Sequence, residues 1–249
     1  MGPVGEVVEW PPDGAPRSTR FHDIYHPRSG AAAQAVSVFL AGCGLPQSWR
    51  GQNRFTVLET GFGLGLNFLT TWAAWEADRQ ACDQLHFVSV EAYPVAAADI
   101  VRATLAPGLE TDKAPPLSLR VAALARELAL AWKPPMRGIQ RLRFADGRVG
   151  LTLVVDDVLP ALSALDCIAD AVYLDGFSPA LNPDMWSSAT LQAVALHCRA
   201  GTRLATYTTT REVRDRLQPL GFTVERRKGL APKRHRLEAV FSPWAVNGT

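Results

Sequence analysis

A glycine-rich turn between a predicted strand and a predicted helix is the segment of this chain best suited to hold a small ligand. It spans residues 59–65, and its three glycines alternate with other residues: Gly61, Gly63 and Gly65. Glycine adopts backbone torsions closed to other residues and lets a ligand touch the main chain. The dinucleotide fingerprint G-x-G-x-x-G fits neither register, because its third glycine falls on Leu66 or Phe68. The acidic Glu59 ahead of the turn would repel a phosphate, so the pattern favours a cationic ligand.

Two more acidic sites follow predicted strands that end at the same edge of a sheet. Glu91 ends the predicted strand 85–91, where a carboxylate can accept both hydrogen bonds of a ribose diol. Asp156 or Asp157, after the predicted strand 149–155, can accept a hydrogen bond from an adenine amino group. Each of these acids alone is typical of a solvated loop. Together with the acid of the glycine-rich turn, they favour a ligand that carries adenosine.

S-adenosyl-L-methionine joins both features, since it carries an adenosine, a sulfonium and an ammonium, and no phosphate. The acid-x-G-x-G-x-G pattern also resembles the first motif of Rossmann-like methyltransferases. We therefore predict this methyl donor as the cofactor, surrounded by the following residues: Glu59, Gly61, Phe62, Gly63, Gly65, Asn67, Glu91, Asp156 and Asp157. A glycine-rich turn with a purely structural role is the alternative. The missing third glycine disfavours a NAD-dependent dehydrogenase.

A second loop, residues 175–186, is predicted to hold the chemistry, and it leads into a predicted helix over residues 184–198. Asp175 ends an otherwise apolar strand and so brings a charge to the sheet edge beside the glycine-rich turn. The loop resembles the Asp/Asn-Pro-Pro-aromatic loop of amino-methyltransferases, in which oxygen atoms accept hydrogen bonds from the target amine. An aliphatic amine with a pKa of about 10 is mostly protonated in water. We predict that Asp175 is catalytic and orients the amine or takes its proton; the alternative is that it only caps the next turn.

Basic residues cluster between the last two predicted strands, in a chain whose net charge is only +2. They are Arg226, Arg227, Lys228, Lys233, Arg234 and Arg236. Neutralising phosphates there would give affinity for RNA, while an extruded base stacked on an aromatic side chain would give specificity. The predicted substrate contacts are Phe177, Pro179, Asn182, Trp186, Arg227, Lys228, Lys233 and Arg234. The alternatives are a solvated basic turn and, for Trp186, an anchor in the core.

Alternating strands and helices through the middle of the chain must position these residues. The pattern predicts an α/β fold with a mostly parallel sheet, helices on both faces and an antiparallel last strand. Together with the resemblance of the glycine-rich turn, it implies a Rossmann-like methyltransferase with a seven-stranded sheet. An Asp-Gly turn at residues 146–147 predicts a hairpin of strands 139–144 and 149–155. Residues 1–52 are predicted to form an N-terminal extension that packs on the core, and residues 53–249 the methyltransferase domain.

The composition excludes several classes of protein. Of the 249 residues, 47% are hydrophobic and 20% are charged, which is the balance of a globular domain and not of a disordered or collagen-like chain. No apolar stretch reaches the roughly 20 residues that cross a bilayer, so no membrane partner is predicted. The four cysteines include no C-x-x-C pair, and the five histidines form no grouping suited to a metal. We therefore predict no metal, no disulfide framework and a reduced, cytoplasmic setting.

Several stretches together resemble the methyltransferase domain of the bacterial bifunctional enzymes that complete 5-methylaminomethyl-2-thiouridine in tRNA. They are residues 21–25, 38–42, 59–69, 175–186 and 227–229 with 233–234. The resemblance spans nearly the whole chain and implies S-adenosyl-L-methionine-dependent methylation of the 5-aminomethyl group on the wobble uridine of tRNA. It also implies that Asp175 lies at the catalytic site. The cofactor contacts that it implies are Glu59, the glycines of the turn, Glu91 and Asp157.

The chain also departs from that family's pattern. Residues 31–34 are Ala-Ala-Ala-Gln where the family often has acidic residues, and the hairpin turn at residues 146–147 is individual. The bifunctional enzymes continue into a flavin-dependent oxidase, but this chain of 249 residues contains no G-x-G-x-x-G for such a domain. We therefore expect a stand-alone methyltransferase or an excised domain, without FAD, and a separate FAD-dependent oxidase as partner. The alternative functions are methylation of a small polyamine-like amine and a non-catalytic module that binds RNA or an adenosine ligand.

Overall fold

A computed structural model of the chain describes residues 5–12, 15–26, 31–105, 115–133, 136–229 and 235–243. Its strands are β1 (Val8–Glu9), β2 (Arg17–Ser18), β3 (Arg54–Thr60), β4 (Gln84–Glu91), β5 (Gly138–Phe144), β6 (Val149–Val155), β7 (Ala169–Leu174), β8 (Cys198–Thr206), β9 (Phe222–Lys228) and β10 (His235–Phe241). Its helices are α1 (Ala31–Gln34), α2 (Leu66–Ala77), α3 (Ala97–Ala103), α4 (Pro115–Ala131), α5 (Val158–Ser163), α6 (Ser188–Leu196) and α7 (Arg211–Leu217). β1 and β2 form a small antiparallel ribbon, and α1 continues as a π-helix over Ala35–Leu40.

The other eight strands form one sheet in the order β5-β6-β4-β3-β7-β8-β10-β9. Its five central strands run parallel, while β5 pairs antiparallel with β6, and β10 pairs antiparallel with both β8 and β9. The predicted mostly parallel sheet with an antiparallel last strand is thus confirmed. The sheet has eight strands where seven were predicted. The additional strand is β5, the outer half of the predicted hairpin, whose residue Leu142 pairs with Leu151.

The strand order reverses at β3, which lies between β4 on one side and β7 on the other. In the register of the sheet, Leu58 pairs with both Val88 and Val172. Ligands of open α/β sheets bind outside the carboxyl ends of the strands, at the point where the strand order reverses. The residues that follow β3, β4 and β7 are therefore the expected walls of a ligand site.

Neighbouring residues of the central strands belong to two separate cores, because successive side chains of a strand point to opposite faces. Val57 and Phe87 pack in the core that contains α2, α3 and α4, whereas Leu58 and Val88 pack in the core that contains α5, α6 and α7. Every residue of β3 after Arg54 is buried. This burial follows from the helices on both faces, since a parallel sheet covered on both sides has no face in water.

Part of the N-terminal region packs against the same core as α2. Phe39 and Trp49 are both completely buried there. The ring of Phe39 lies 5.3 Å from the ring of Tyr173 on β7, and Trp49 Nε1 donates a hydrogen bond to Asp78 at 2.9 Å. These contacts join residues before β3 to the sheet and to the end of α2. The division of the chain at residue 52 into an extension and a domain stays a prediction.

The predicted helix over residues 184–198 is interrupted near its start. A short 3₁₀ turn over Pro183–Trp186 comes first, and α6 begins only at Ser188. Ser187 is the N-cap of α6, because its Oγ accepts a hydrogen bond from the Thr190 N–H at 3.1 Å. Serine favours this position, since its hydroxyl satisfies a backbone N–H that the first helical turn leaves open. The break leaves the residues before Ser187 free to follow the edge of the sheet.

Candidate active site

A cavity of about 350 Å³ lies at the carboxyl ends of β3, β4 and β7. The glycine-rich turn, the residues after β4 and the loop after β7 form its walls, and an N-terminal segment over residues 21–26 closes another side. The volume falls in the range usual for small-molecule sites. The predicted site residues that line this cavity are Gly61, Phe62, Gly63, Asn67, Glu91, Asp156, Asp175, Phe177 and Asn182.

The glycine-rich turn depends on glycine because its backbone has positive φ angles and because other atoms approach it too closely for a side chain. Gly61, Gly63 and Gly65 have positive φ angles of 79°, 52° and 74°. A Cβ on Gly61 would lie 3.2 Å from Gly176 Cα and 3.4 Å from the Asp175 carbonyl oxygen. Gly61 is therefore the place where the glycine-rich turn and the loop after β7 meet main chain to main chain. Gly65 lies behind the turn, where a Cβ would meet the ring of Phe62 at 3.0 Å.

Replacing Gly61 by alanine should disturb the cavity as well as strain the turn. A non-glycine residue at positive φ costs about 1–3 kcal/mol, and the new Cβ would also push against main chain that cannot rotate away. Gly51→Ala is the matched control, because Gly51 has a φ of 73° and no atom within 4 Å of an added Cβ. We expect both variants to lose stability in thermal unfolding. Only Gly61→Ala should lose S-adenosyl-L-methionine binding in calorimetry, and equal affinities in the two variants would contradict the contact.

Glu91 connects the end of β4 to the glycine-rich turn. Its Oε2 accepts a hydrogen bond from the Gly63 N–H and its Oε1 accepts one from the Tyr93 N–H, both at 2.9 Å. Burial raises the pKa of Glu91, while these two backbone hydrogen bonds oppose the increase. The backbone N–H groups of Gly63 and Tyr93 thus fix the position of the Glu91 carboxylate on the cavity wall.

The two aspartates after β6 occupy different places. Asp156 lines the cavity and pairs with Arg137, whereas Asp157 is outside the cavity lining and lies 3.7 Å from the same guanidinium. The N–H of Asp157 donates to Asp156 Oδ1 at 2.9 Å. The structure therefore places Asp156 at the cavity, whereas the family resemblance implied Asp157 as the cofactor contact.

Glu59 does not reach the cavity, contrary to its predicted position beside the ligand. It is completely buried beneath the turn, where Ser89 Oγ donates to its Oε2 at 2.7 Å and Asn67 Nδ2 donates to its Oε1 at 2.9 Å. Burial raises the pKa of Glu59 well above its usual value, and the nearby Asp175 carboxylate raises it further. Both effects favour the neutral acid. The expected attraction of a cation by an exposed Glu59 charge is therefore not what the geometry offers.

Asp175 directly follows β7 and lies beside the glycine-rich turn. Its side-chain Oδ2 accepts a hydrogen bond from Asn67 Nδ2 at 2.8 Å, and its Oδ1 accepts one from the Gly176 N–H at 2.9 Å. The main chain of Asp175 is held separately, since Thr60 Oγ1 donates to the Asp175 carbonyl oxygen at 2.8 Å. A carboxylate from β7 and an amide from α2 thus meet in one wall of the cavity.

The loop after Asp175 is supported from below. Trp186 is only 1% exposed, and its Nε1 donates to the Phe177 carbonyl oxygen at 2.8 Å. It is therefore an anchor in the core and cannot stack on a substrate base. Pro179 also lies outside the cavity lining, in a small depression next to Trp186. Phe177 and Asn182 remain on the cavity side of the loop.

Tyr207, which our sequence reasoning missed, directly follows β8 and supports the same loop. Its hydroxyl donates to the Gly176 carbonyl oxygen at 2.7 Å, and its ring lies at the cavity. Burial raises the pKa of Tyr207, and the Asp175 carboxylate raises it further, so the side chain stays a neutral hydrogen-bond donor. The available signal was its position directly after a strand that ends at this edge of the sheet.

The N-terminal segment supplies further cavity residues that were missed. Asp23 Oδ2 accepts a hydrogen bond from the Ser178 N–H at 2.9 Å. The ring centroids of Phe21 and Tyr25 lie 4.9 Å and 5.1 Å from that of Phe177. The segment is thus attached to the loop after β7 by one polar contact and an aromatic cluster. These residues belong to the first stretch of the family resemblance, which was the only signal for them.

β9 ends with three exposed basic residues, Arg226, Arg227 and Lys228. Lys228 pairs with His235, and Leu237 pairs with Thr206, the last residue of β8. The basic end of β9 therefore extends past the carboxyl end of β8, toward the edge of the sheet that holds the cavity.

Neighbouring acids neutralise part of this positive charge. Arg227 forms an ion pair with Glu225 on its own strand and lies 3.9 Å from Glu238 on β10. The other predicted basic contacts, Lys233 and Arg234, lie outside the described residues. The patch at the end of β9 is thus basic but incomplete as far as the structure describes it.

The structure adds three observations on groups outside the cavity. Within the described ranges, no three His, Cys, Asp or Glu side chains are grouped so that they could hold a metal ion. All four cysteines are free. Among the helices that the structure describes, none combines the length and the apolar character needed to cross a membrane.

Comparison with known proteins relates the chain to methyltransferases. The sequence model of a family described as S-adenosyl-L-methionine-dependent methyltransferase matches residues 120–242. A protein from Acidovorax sp. (strain JS42) is 49% identical over 240 residues, which cover 96% of this chain and 36% of that protein. A protein from Delftia acidovorans is 48% identical over 247 residues, covering 99% of this chain and 37% of that protein. Both are called tRNA 5-methylaminomethyl-2-thiouridine biosynthesis bifunctional protein MnmC.

The chain therefore spans a little more than a third of the length of these curated relatives. A crystal structure of MnmC2 from Aquifex aeolicus has the same fold, with a TM-score of 0.71 over 96% of this chain and 71% of that chain, at 19% identity. The sequence similarity, the family match and the shared Rossmann-like fold agree with one another. This chain is thus similar in sequence to one part of the bifunctional MnmC proteins, and its residues 120–242 match the sequence model of S-adenosyl-L-methionine-dependent methyltransferases.

Proposed function

We propose that this chain transfers a methyl group from S-adenosyl-L-methionine to the exocyclic amine of 5-aminomethyl-2-thiouridine at the wobble position of tRNA. The observation that carries the proposal is the position of Asp175, whose carboxylate lies in one cavity wall with the glycine-rich turn. The substrate class comes from the relatives, whose printed name connects them with the biosynthesis of that nucleoside in tRNA.

The cavity residues fit S-adenosyl-L-methionine. The Glu91 side chain, whose two oxygens act only as hydrogen-bond acceptors when it is ionised, suits the hydroxyls of a ribose. Asp156 suits the adenine amino group, and the turn at Gly61 and Gly63 offers main chain without side chains. When bound, S-adenosyl-L-methionine supplies an electrophilic methyl group on a positively charged sulfur. Glu59 would act from beneath this site and not by direct contact.

Asp175 would orient the amine and accept a proton from it. The nitrogen can attack only with a free lone pair, and an alkyl amine with a pKa of about 10 is mostly protonated at neutral pH. A carboxylate beside the nitrogen accepts its hydrogen bond and can take the proton that is lost when the new nitrogen–carbon bond forms. Alignment of the two reacting groups, more than any covalent step on the protein, would supply the acceleration.

The aromatic cluster beside Asp175 would receive the uridine. Phe177 lies on the cavity side of its loop and is flanked by Phe21 and Tyr25. Aromatic side chains stack on bases that leave the helix of an RNA, which is the usual way to read single-stranded nucleotides. Asn182, on the same loop, adds an amide that can donate and accept hydrogen bonds.

The basic end of β9 would contact the tRNA backbone. Reversing Arg227 and Lys228 to Glu should weaken tRNA binding and lower the salt dependence of binding by about 1–2 units of slope, since each lost phosphate contact contributes about 0.9. Arg54→Glu is the control, because Arg54 is an exposed arginine at the opposite, amino end of β3. Filter binding over a salt series measures the tRNA affinity and its salt dependence for each variant. An unchanged slope in the double variant would remove this patch from the proposal.

The proposal gives this chain only the methylation step. The family resemblance implies a separate flavin-dependent oxidase as the partner that forms the aminomethyl group, and the relatives are named as bifunctional proteins. No flavin and no metal has a role in the step assigned to this chain. The cytoplasm is the proposed location, as tRNA is the substrate.

Nucleoside mass spectrometry tests the proposal. The substrate is tRNA from cells that lack the methyl group of this nucleoside but keep its aminomethyl group. It is incubated with the protein and S-adenosyl-L-methionine, then digested. A gain of one methyl group on aminomethyl-uridine is the expected result. Methylation of free spermidine without methylation of tRNA would replace the proposal by a small-amine methyltransferase. Donor binding without transfer to either would indicate a non-catalytic module.

A further inference from the structure

We propose that Asn67 is a positioning residue, whose side-chain amide joins the buried Glu59 to Asp175 and so fixes the direction of the catalytic carboxylate. This inference rests on the proposed function, since it gives Asp175 the role argued above. It assigns Asn67 and Glu59 a task different from the ligand contacts predicted for them from sequence.

The geometry of the Asn67 amide carries the inference. Its Nδ2 donates to Glu59 Oε1 at 2.9 Å and to Asp175 Oδ2 at 2.8 Å. An asparagine amide nitrogen has two hydrogens, so both are used in bridging the two carboxyl groups. Asp175 Oδ2 thereby accepts a hydrogen bond from Asn67, while Oδ1 accepts one from the adjacent Gly176 N–H.

The support beneath Asn67 is rigid. Asn67 is the second residue of α2, and its carbonyl oxygen accepts a hydrogen bond from Thr71 Oγ1 at 2.7 Å. Glu59 is completely buried in β3 and receives a second hydrogen bond from Ser89 Oγ at 2.7 Å. The amide is therefore held from the side away from the cavity. Asp175 is held relative to the sheet through it.

The chemistry of this bridge distinguishes the roles of its members. Two carboxyl groups that share a donor would repel one another if both were ionised, and the surroundings of Glu59 favour its neutral form. A neutral Glu59 can be replaced by glutamine, which keeps an acceptor for Asn67 and offers a donor to Ser89. Asn67 cannot be replaced by aspartate, which has no hydrogen to donate and would add another carboxylate between the two.

The test compares Asn67→Asp, Asn67→Ser and Glu59→Gln, with Ser89→Ala as a control that removes only the contact of Glu59 on the side away from Asp175. The first readout is crystallographic and needs no activity. In both Asn67 variants the Asp175 side chain should leave its position in the unmodified protein. In Glu59→Gln and Ser89→Ala it should stay. An unmoved Asp175 in a folded Asn67→Ser variant would overturn the inference.

The second readout separates positioning from donor binding. Misplacement of a catalytic group by about 1 Å costs about 100-fold in rate, so kcat for tRNA methylation should fall by about that factor in both Asn67 variants. The Kd for S-adenosylhomocysteine should change by less than about tenfold, because Glu91 and Asp156, not Asn67, are the proposed contacts of the ribose and the adenine. A matching loss in Kd would make Asn67 a donor contact and contradict the inference. If the unmodified protein methylates no tRNA, the proposed function fails, and the crystal structures still decide what Asn67 holds.

Discussion

Replacement of Asp175 by alanine is expected to slow methyl transfer strongly while leaving the methyl donor bound. A general base or amine-orienting group contributes about 10²–10⁴-fold to rate, so kcat should fall within that range. The loop should stay in place, because Thr60 bonds to the main chain of Asp175 and Tyr207 bonds to the carbonyl oxygen of Gly176. Single-turnover methylation of tRNA measures the loss, and calorimetry with S-adenosyl-L-methionine measures the retained affinity.

Asp184→Ala is the matched control for this variant. It makes the same substitution on the same loop, at an exposed residue outside the cavity. Asp184→Ala should keep full activity. Full activity in Asp175→Ala would remove Asp175 from its assigned role, whereas loss of donor binding in that variant would show that the carboxylate holds the donor and not the amine.

The second large effect is expected from Glu91→Gln, which should raise the Kd for the methyl donor by about 100-fold. A hydrogen bond to a charged group contributes about 1.5–3 kcal/mol, and each 1.4 kcal/mol is about tenfold in affinity. Glutamine has the shape of glutamate but offers one acceptor oxygen in place of two. Whichever way the amide is turned, its NH₂ group would face the N–H of Gly63 or of Tyr93, and a ribose hydroxyl would lose one acceptor oxygen.

Calorimetry at several pH values sharpens this prediction. Burial raises the pKa of Glu91, so its carboxylate is protonated at a higher pH than an ordinary glutamate. The affinity of the unmodified protein for the donor should therefore be greatest at high pH. As the pH is lowered, the affinity should begin to fall at a pH above the pKa of an ordinary glutamate. Glu91→Gln should lack this dependence. Glu76→Gln, on the exposed side of α2, is the control and should bind like the unmodified protein; a similar affinity in Glu91→Gln would exclude the ribose role.

The strand ends of the site were predictable because a parallel sheet repeats one simple rule. Every crossover returns the chain to the same edge, so acids at or directly after the ends of β4, β6 and β7 must lie near one another and near the turn after β3. Glu91, Asp156 and Asp175 lie together for this reason, although they are far apart in sequence. The glycine-rich turn was predictable because positive φ angles leave glycine as the favoured residue.

The direction of individual side chains was not predictable in the same way. Glu59 precedes the turn, but the alternation of β3 turns it beneath the turn and away from the cavity. Trp186 belongs to a predicted aromatic loop, but a short 3₁₀ turn rotates its ring into the core. A shift of one residue along the chain turns a side chain to the opposite face, and the pattern of residue types does not determine that shift.

Contacts between distant segments were also outside the reach of the pattern. Asp23 and Tyr25 come from a region without regular periodicity and reach the cavity only through tertiary contacts with Ser178 and Phe177. Only the family resemblance pointed to that stretch. The eighth strand, β5, was itself predicted as one half of the hairpin with β6, but the predicted total of seven strands did not count it as part of the main sheet.

The central claim is that the methyl donor binds in the cavity between the glycine-rich turn and Asp175. A crystal structure of the protein grown with S-adenosylhomocysteine tests it most directly. We predict that the ribose hydroxyls lie within hydrogen-bond distance of the Glu91 carboxylate and that the thioether sulfur faces Asp175. A structure in which this ligand binds elsewhere, or in which the cavity holds a phosphate-bearing nucleotide instead, would contradict the account.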